Sequence, residues 1–444
     1  MNSLYRVVTS LGVGIVLTGL ATPLLAPSPS LAQSASPSTP TASTRSTTPL
    51  DPATAEKAYK TGRTQLKRQE YREALASFDL AIRANPNDAR PYLQRGITYA
   101  ALGDYSAALQ DYNRAIELAP ELVDAYLYRG IVHYKLGDYA EAMADLDQVL
   151  ILNPESAPAY FYRGLVQKAT NHPAGAIAEF TQAIEEDSKY GDAYLNRGSL
   201  YYEINDLEAA LADLDQAVEL MPDSAIAYYN RGFVYSGLGA AELALADFDQ
   251  AIQLKPDYAE AYLGRALALV SLDDLPAALA DLETAIRLRP DYADAYKVRG
   301  DLRLQSGDPE GAIADYEKAL AVRPGDSVIY RSRADAYFES GFLEQAMADY
   351  DFVLAENPND VAALNNRGEI RLALGDTAGA LEDYTQAIRS NPQNADAYYS
   401  RGRLLAMTGD LAAAMADLQR AADLYLQQGT AERYRQTLAA MQGL

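Results

Sequence analysis

The sequence has no cysteine, no tryptophan and only two histidines, His133 and His172. Without cysteine there is no disulfide framework, thiolate nucleophile or thiolate metal site. Two isolated histidines make neither a tetrahedral zinc site nor a Ser-His-Asp triad. Positive charge is also scarce: 38 Lys and Arg stand against 61 Asp and Glu in 444 residues, a formal net of −23. A surface of that sign repels phosphate backbones, which excludes sequence-independent nucleic-acid binding. What is present in quantity is alanine and tyrosine, with 33 Tyr against 8 Phe, and hydrophobic residues make up 49% of the chain, enough for a large core. Length alone suggests about three domains, unless the chain is an array of small repeats.

The first 54 residues read as processing and tether rather than fold. Met1–Arg6 carries one cation, Val7–Ala26 is apolar, and Ser30–Leu31–Ala32 places small residues before Gln33. That pattern predicts a secretory signal over 1–32 cleaved after Ala32; the competing reading is an uncleaved membrane anchor. No cysteine follows, which excludes a lipoprotein anchor. Residues 33–54 are Ser/Thr/Pro/Ala-rich with no apolar period, and are expected to be a disordered tether. Export to a periplasmic or secreted location follows, with membrane contact only through an uncleaved N-terminus.

The remainder is one unit written eleven times at an offset of 34, filling 55–428. Alanine recurs from Ala74 and Ala108 through to Ala414 without a gap. Glycine recurs at Gly62, Gly96, Gly130, Gly164, Gly198, Gly232, Gly300, Gly368 and Gly402, with Ala266 and Ala334 at the two remaining places. Pro120 and its equivalents close most units. In the second unit, 89–102 and 105–118 are the two helical stretches, broken at Gly103–Asp104. Glycine there permits the positive φ common at a helix C-terminus, and proline cannot continue the second helix. Gly96 and Ala108 are placed where two antiparallel helices cross, with Tyr92, Tyr99 and Tyr112 filling the space around them.

The second unit, Tyr92-x2-Arg95-Gly96-x2-Tyr99…Ala108-x3-Tyr112…Pro120, resembles the tetratricopeptide repeat. The Tyr-x-x-Arg-Gly variant, with its signal and tether, is similar to exported bacterial members of that family, especially cyanobacterial ones. The resemblance implies an all-α fold: a right-handed α-solenoid of eleven helix–turn–helix repeats, with 429–444 as a C-terminal capping helix. It also implies a groove lined by the first helices, protein or peptide binding, no catalysis and no cofactor. The fourth unit departs from the pattern, with Ser188 for the terminal proline and Asn171–His172–Pro173 at its break. The weakest stacking, and a hinge, are therefore expected at 187–191.

Arginine stands before the repeated small residue from Arg95 to Arg401, and sixteen residues later a carboxylate, from Asp111 to Asp417; the first unit lacks both, with Thr61 and Ser77. This coincidence predicts an ion pair across each helix pair, structural rather than ligand-binding. Asp145 and Asp147, like Asp213 and Asp215, resemble metal-binding acidic pairs but sit two apart on a helix and point apart. His133 takes the place of an inner packing tyrosine. The column from Tyr92 to Tyr398 is expected to be core.

By family resemblance, places two, five, nine and twelve of each unit line the groove. The predicted partner-binding residues are Leu93, Ile97, Leu127, Ile131, Tyr134, Phe161, Leu165, Leu195, Tyr202, Tyr229, Phe233, Leu263 and Leu267, an apolar floor in repeats two to seven. An exposed patch of that kind marks an interface; the alternatives are packing between neighbouring first helices or closure by the chain's own tether. Asp124, Asp192, Glu260 and Asp294 edge the floor and favour a basic partner. From the eighth unit the floor turns polar: Lys297 and Asp301, Arg331 and Asp335, Asn365 and Glu369. A Lys clamp for a terminal carboxylate is opposed by Asp301. The first unit is basic by about two charges, with Lys57, Lys60, Arg63, Lys67, Arg68, Arg72 and Arg83. The sequence thus points to a non-catalytic envelope scaffold, the alternatives being a cell-wall glycan-binding module or a self-associating solenoid.

Overall fold

The computed structural model describes residues 52–444; the predicted leader and nearly all of the tether lie outside the described residues. Among the described residues there are 23 helices and no strand. They fall into two compact units, 52–240 and 241–444. The first holds α1 (Pro52–Lys67), α2 (Tyr71–Ala84), α3 (Ala89–Ala101), α4 (Tyr105–Leu118), α5 (Val123–Leu136), α6 (Tyr139–Leu152), α7 (Ala157–Ala169), α8 (Pro173–Glu186), α9 (Gly191–Glu203), α10 (Leu207–Leu220) and α11 (Ala225–Gly237). The second holds α12 (Ala241–Leu254), α13 (Ala259–Ser271), α14 (Leu275–Leu288), α15 (Ala293–Gln305), α16 (Pro309–Val322), α17 (Ser327–Glu339), α18 (Leu343–Glu356), α19 (Val361–Ala373), α20 (Thr377–Ser390), α21 (Ala395–Thr408), α22 (Leu411–Gln427) and α23 (Ala431–Gln442). The bounds follow the 34-residue frame throughout, and α23 is the additional C-terminal helix. No described helix is long and apolar enough to cross a membrane.

Each helix pair is made by short-range chemistry. At the α3–α4 break, Gly103 takes φ 81° and Asp104 accepts from the Ala107 N–H at 3.0 Å, capping α4. Asn171, Asn205 and Asp273 hold the same left-handed place at φ 61°, 62° and 64°; they are among the few non-glycine residues that tolerate it. Pro158 costs nothing at the start of α7, where the backbone donor has no intrahelical partner. Inside the pairs the alanine column is fully buried, and the ring or leucine sixteen residues after repeated glycines such as Gly62, Gly96, Gly164, Gly300 and Gly368 packs across the crossing.

The predicted ion pairs are present in repeats two to five and seven to eleven, and several of their arginines also reach the preceding repeat. Arg129 donates to Asp145 at 2.8 and 2.6 Å within its own helix pair, and to Asn113 of the preceding repeat at 2.6 Å. Arg265 does the same with Asp281 and Asp249, and Arg367 with Asp383 and Asp351. One guanidinium therefore ties three helices. This also disposes of the paired carboxylates: Asp145 serves Arg129 while Asp147 serves Arg163. The tyrosine column is not core, as expected from sequence, but half-buried. Tyr126, Tyr194 and Tyr262 lie 5.5 to 5.8 Å from the guanidinium of their own repeat, shielding the pair from water.

The expected weak point at 187–191 is well packed. The Tyr190 ring sits 4.9 Å from Phe161, and a Cβ on the buried Gly191 would meet Met221 at 2.7 Å. Tyr190 fills the place left by the missing proline contacts. The boundary between compact units instead falls at 240/241, beside the Gly239 turn.

Candidate functional site: an open cleft on the first helices of the last repeats

The predicted apolar floor is largely not a surface. Leu93, Leu127, Ile131, Phe161, Leu165, Leu195, Tyr229, Phe233, Leu263 and Leu267 are all buried; Ile97, Tyr134 and Tyr202 are half-buried. Large apolar side chains at places five and nine are taken up by packing, which excludes water from the space they would have lined. Phe161 packs edge-on to Tyr162 at 5.4 Å and against Phe180 of its own helix pair at 5.7 Å, while Tyr229 meets Phe233 at 4.9 Å on one helix. These side chains belong to the helical core rather than to an open wall.

Lys168 lies in that half-open row at place twelve, as Tyr134 and Tyr202 do. Its Nζ is buried without a hydrogen bond, 3.9 Å from the Glu203 carboxylate. Burial depresses its pKa below 10.5, with Glu203 pulling the other way. In that window the unfolded chain binds more protons, so stability rises with pH. Lys168→Met is expected to add about 1 kcal/mol at neutral pH. In denaturant unfolding curves the advantage should fade as pH approaches 10.5.

Where the floor is polar, space stays open. A cleft of about 660 Å³ lies among α19, α21 and the end of α23, lined by Asn365, Asn366, Glu369, Asn394, Asp396, Tyr399, Ser400, Arg403 and Arg433. Helical spacing sets its walls: Asn365 and Glu369 are four apart on α19, and Tyr399 and Arg403 four apart on α21. Asn365 Nδ2 donates to Asn394 Oδ1 at 3.1 Å, and Asn394 Oδ1 also caps α21 through the Ala397 N–H at 2.7 Å. Asn366 Nδ2 donates to Asp335 and to the Tyr350 hydroxyl, both at 3.0 Å. Burial raises the Asp335 pKa against the pull of those hydrogen bonds. Asn365 Oδ1 is left buried and without a donor. Arg403 stacks 5.6 Å over Tyr399 and, among the described residues, has no carboxylate within ion-pair distance. Arg433 reaches the edge of the cleft 3.7 Å from Asp396, so the capping helix contributes to it. Lys297, the would-be clamp, is buried and paired with Asp301 at 2.8 Å. Among the described residues no group of carboxylates and histidines is placed to hold a metal ion.

This polar cleft was visible in sequence only as the change of floor at the eighth repeat. Arg433 carried no signal, because its placement depends on how α23 folds back.

Tetratricopeptide-repeat family models match residues 63–129, 123–156, 198–239, 225–258, 263–327, 303–368 and 370–428. The chain belongs to the tetratricopeptide-repeat family. Repeats of this family are generally scaffolds for protein–protein contacts, which is the role the repeats of this chain support. Among solved structures it is similar to YrrB, described as a TPR protein with an unusual peptide-binding site (24% identity, 41% of this chain and 95% of that one, TM-score 0.37). It is also similar to pilF of Pseudomonas aeruginosa (22% identity, 49% and 98%, TM-score 0.44) and to yeast Tom70 (17% identity, 88% and 95%, TM-score 0.40). No curated protein matches the chain.

Proposed function

We propose that this protein is a non-catalytic scaffold of the cell envelope that holds an extended polypeptide segment in the cleft of its tenth and eleventh repeats. The observation that carries this reading is Asn365: a buried carbonyl oxygen with no donor, at the wall of an open polar cleft. An unmet buried acceptor is costly, and the backbone N–H of an extended chain is the donor that satisfies it irrespective of side-chain sequence. Glu369, Asp396, Arg403 and Arg433 add charge of both signs, which sets direction and register of the bound segment. The apolar run of Val7–Ala26 with its small-residue site supports export.

Selection of peptides from a displayed random library against the full chain tests the site. Asn365→Leu and Arg403→Glu are each expected to weaken the selected peptides by about tenfold or more. Unchanged affinity in both variants would remove the cleft from the reading. N-terminal sequencing of the protein from its native envelope is expected to start at Gln33.

A further inference from the structure

The first helix differs from every later first helix of its compact unit in one respect. At places three, seven and ten, repeats three to six carry alanine, arginine and an aliphatic residue, packed against the preceding repeat. The first repeat has no described helix before it, and there it carries Lys57, Thr61 and Thr64, all exposed. A merely solvated end would be satisfied by any polar residues, in a chain whose net charge is −23. This end is instead cationic. Lys57, Lys60, Arg63 and Lys67 of α1, Arg68 just past its end and Arg72 of α2 are exposed, and a shallow concavity of about 670 Å³ runs along α1 between Lys57, Lys60 and Arg68. From residue 57 to 68 the row covers about 17 Å. Among the described residues, only Lys60 of these six has a carboxylate partner, Glu56 at 3.3 Å. Glu56 and Glu70 line the concavity beside the cations and Glu73 is the other acid near the face, so six cations stand against three acids.

We propose that this N-terminal end face is an electrostatic docking surface for an anionic lipid bilayer. A protein partner would need apolar contacts at the centre of its interface, and α1 exposes no large apolar side chain; Leu66 is half-buried. A lipid surface needs charge alone. The preceding 51 residues are a poor occupant, since their only acid is Asp51. A second copy offers nothing complementary at its far end, where α23 exposes Glu432 beside Arg433 and Arg435. The acidic remainder of the chain is repelled by the same bilayer, so docking is confined to this face. This surface lies outside the cleft described above, and its failure leaves peptide binding there untouched.

The absence of native cysteine makes the test direct. Thr64→Cys in the full chain is labelled with a polarity-sensitive maleimide dye and mixed with phosphatidylglycerol–phosphatidylcholine vesicles, or with phosphatidylcholine alone. The dye is expected to respond only to the anionic vesicles and to lose its response at high salt. Lys57→Glu/Lys60→Glu/Arg68→Glu in the same labelled chain is expected to weaken the response by about tenfold or more, with helicity unchanged. A label at Ala412 is expected to stay silent. An equal response to neutral vesicles, a response that survives the triple reversal, or a response to polyglutamate but not to vesicles would each overturn the proposal; the last would assign the face to an acidic protein.

Discussion

Arg95→Leu is expected to cost about 3–5 kcal/mol of local stability, because it strands a buried carboxylate. Arg95 donates to Asp111 at 2.8 and 2.7 Å and also pairs with Asp79 of the first repeat, while Tyr92 and Tyr99 lie 5.7 and 5.9 Å from its guanidinium. Asp111 is only 5% exposed, and leucine brings no donor to it. Burial already raises the Asp111 pKa above 3.8, and Arg95 is what opposes the rise. Without Arg95 the folded pKa climbs further. The folded state then binds more protons than the unfolded chain in that window, so the deficit should shrink as pH falls through it. Arg95→Leu/Asp111→Leu is expected to recover most of the loss, since the penalty belongs to the unpaired charge rather than to a missing net attraction. Stacked repeats do not unfold as one two-state body, so hydrogen exchange across α2 to α4 is the proper measurement rather than one midpoint. Unchanged exchange in the single variant would mean that Asp111 is hydrated and the ladder is ornamental.

Gly96→Val is expected to destabilise the second repeat by about 3 kcal/mol. A Cβ at Gly96 would lie 2.6 Å from Tyr112 Cε1 and 2.8 Å from Cδ1, and Tyr112 is fully buried with nowhere to turn. The same place in the third repeat is more forgiving: a Cβ at Gly130 meets Asp145 Cβ at 3.2 Å and Leu146 at 3.3 Å. There the helix gain of glycine to alanine, about 1 kcal/mol, offsets the crowding, so Gly130→Ala should be close to neutral. The ninth repeat shows what one methyl demands, for Ala334 and Tyr350 occupy the same two places and both are fully buried. Gly96→Ala should therefore cost less than the valine variant. Hydrogen exchange across α3 to α6 in the four chains ranks these effects; equal protection in Gly96→Val and Gly130→Ala would show that the crossing is not the constraint.

The two kinds of residue differ in how readable they were. The repeated glycine, alanine and arginine act on partners at constant spacing, so one alignment of the chain with itself exposes them. The second partner of several arginines is readable in the same way, since Asp79, Asp147, Asp215 and Asp249 stand sixteen residues before Arg95, Arg163, Arg231 and Arg265. The apolar floor is not readable in this way. Places five and nine do share one helix face, but whether that face is open depends on how far side chains fill the space beside it. Leucine and phenylalanine fill it; at Asn365, Glu369, Ser400 and Arg403 a cleft is left.

The sequence by itself determined the helices, their breaks, the pairing of helix with helix and the charge ladder, because each rests on contacts within one repeat or between neighbours at fixed separation. Only the tertiary structure decided which stretch of the first-helix face remains accessible, that α23 brings Arg433 to the cleft, and that Asn365 is left with an unmet oxygen. Those outcomes depend on side-chain volume and hydration summed over several helices, which no periodicity in the chain records.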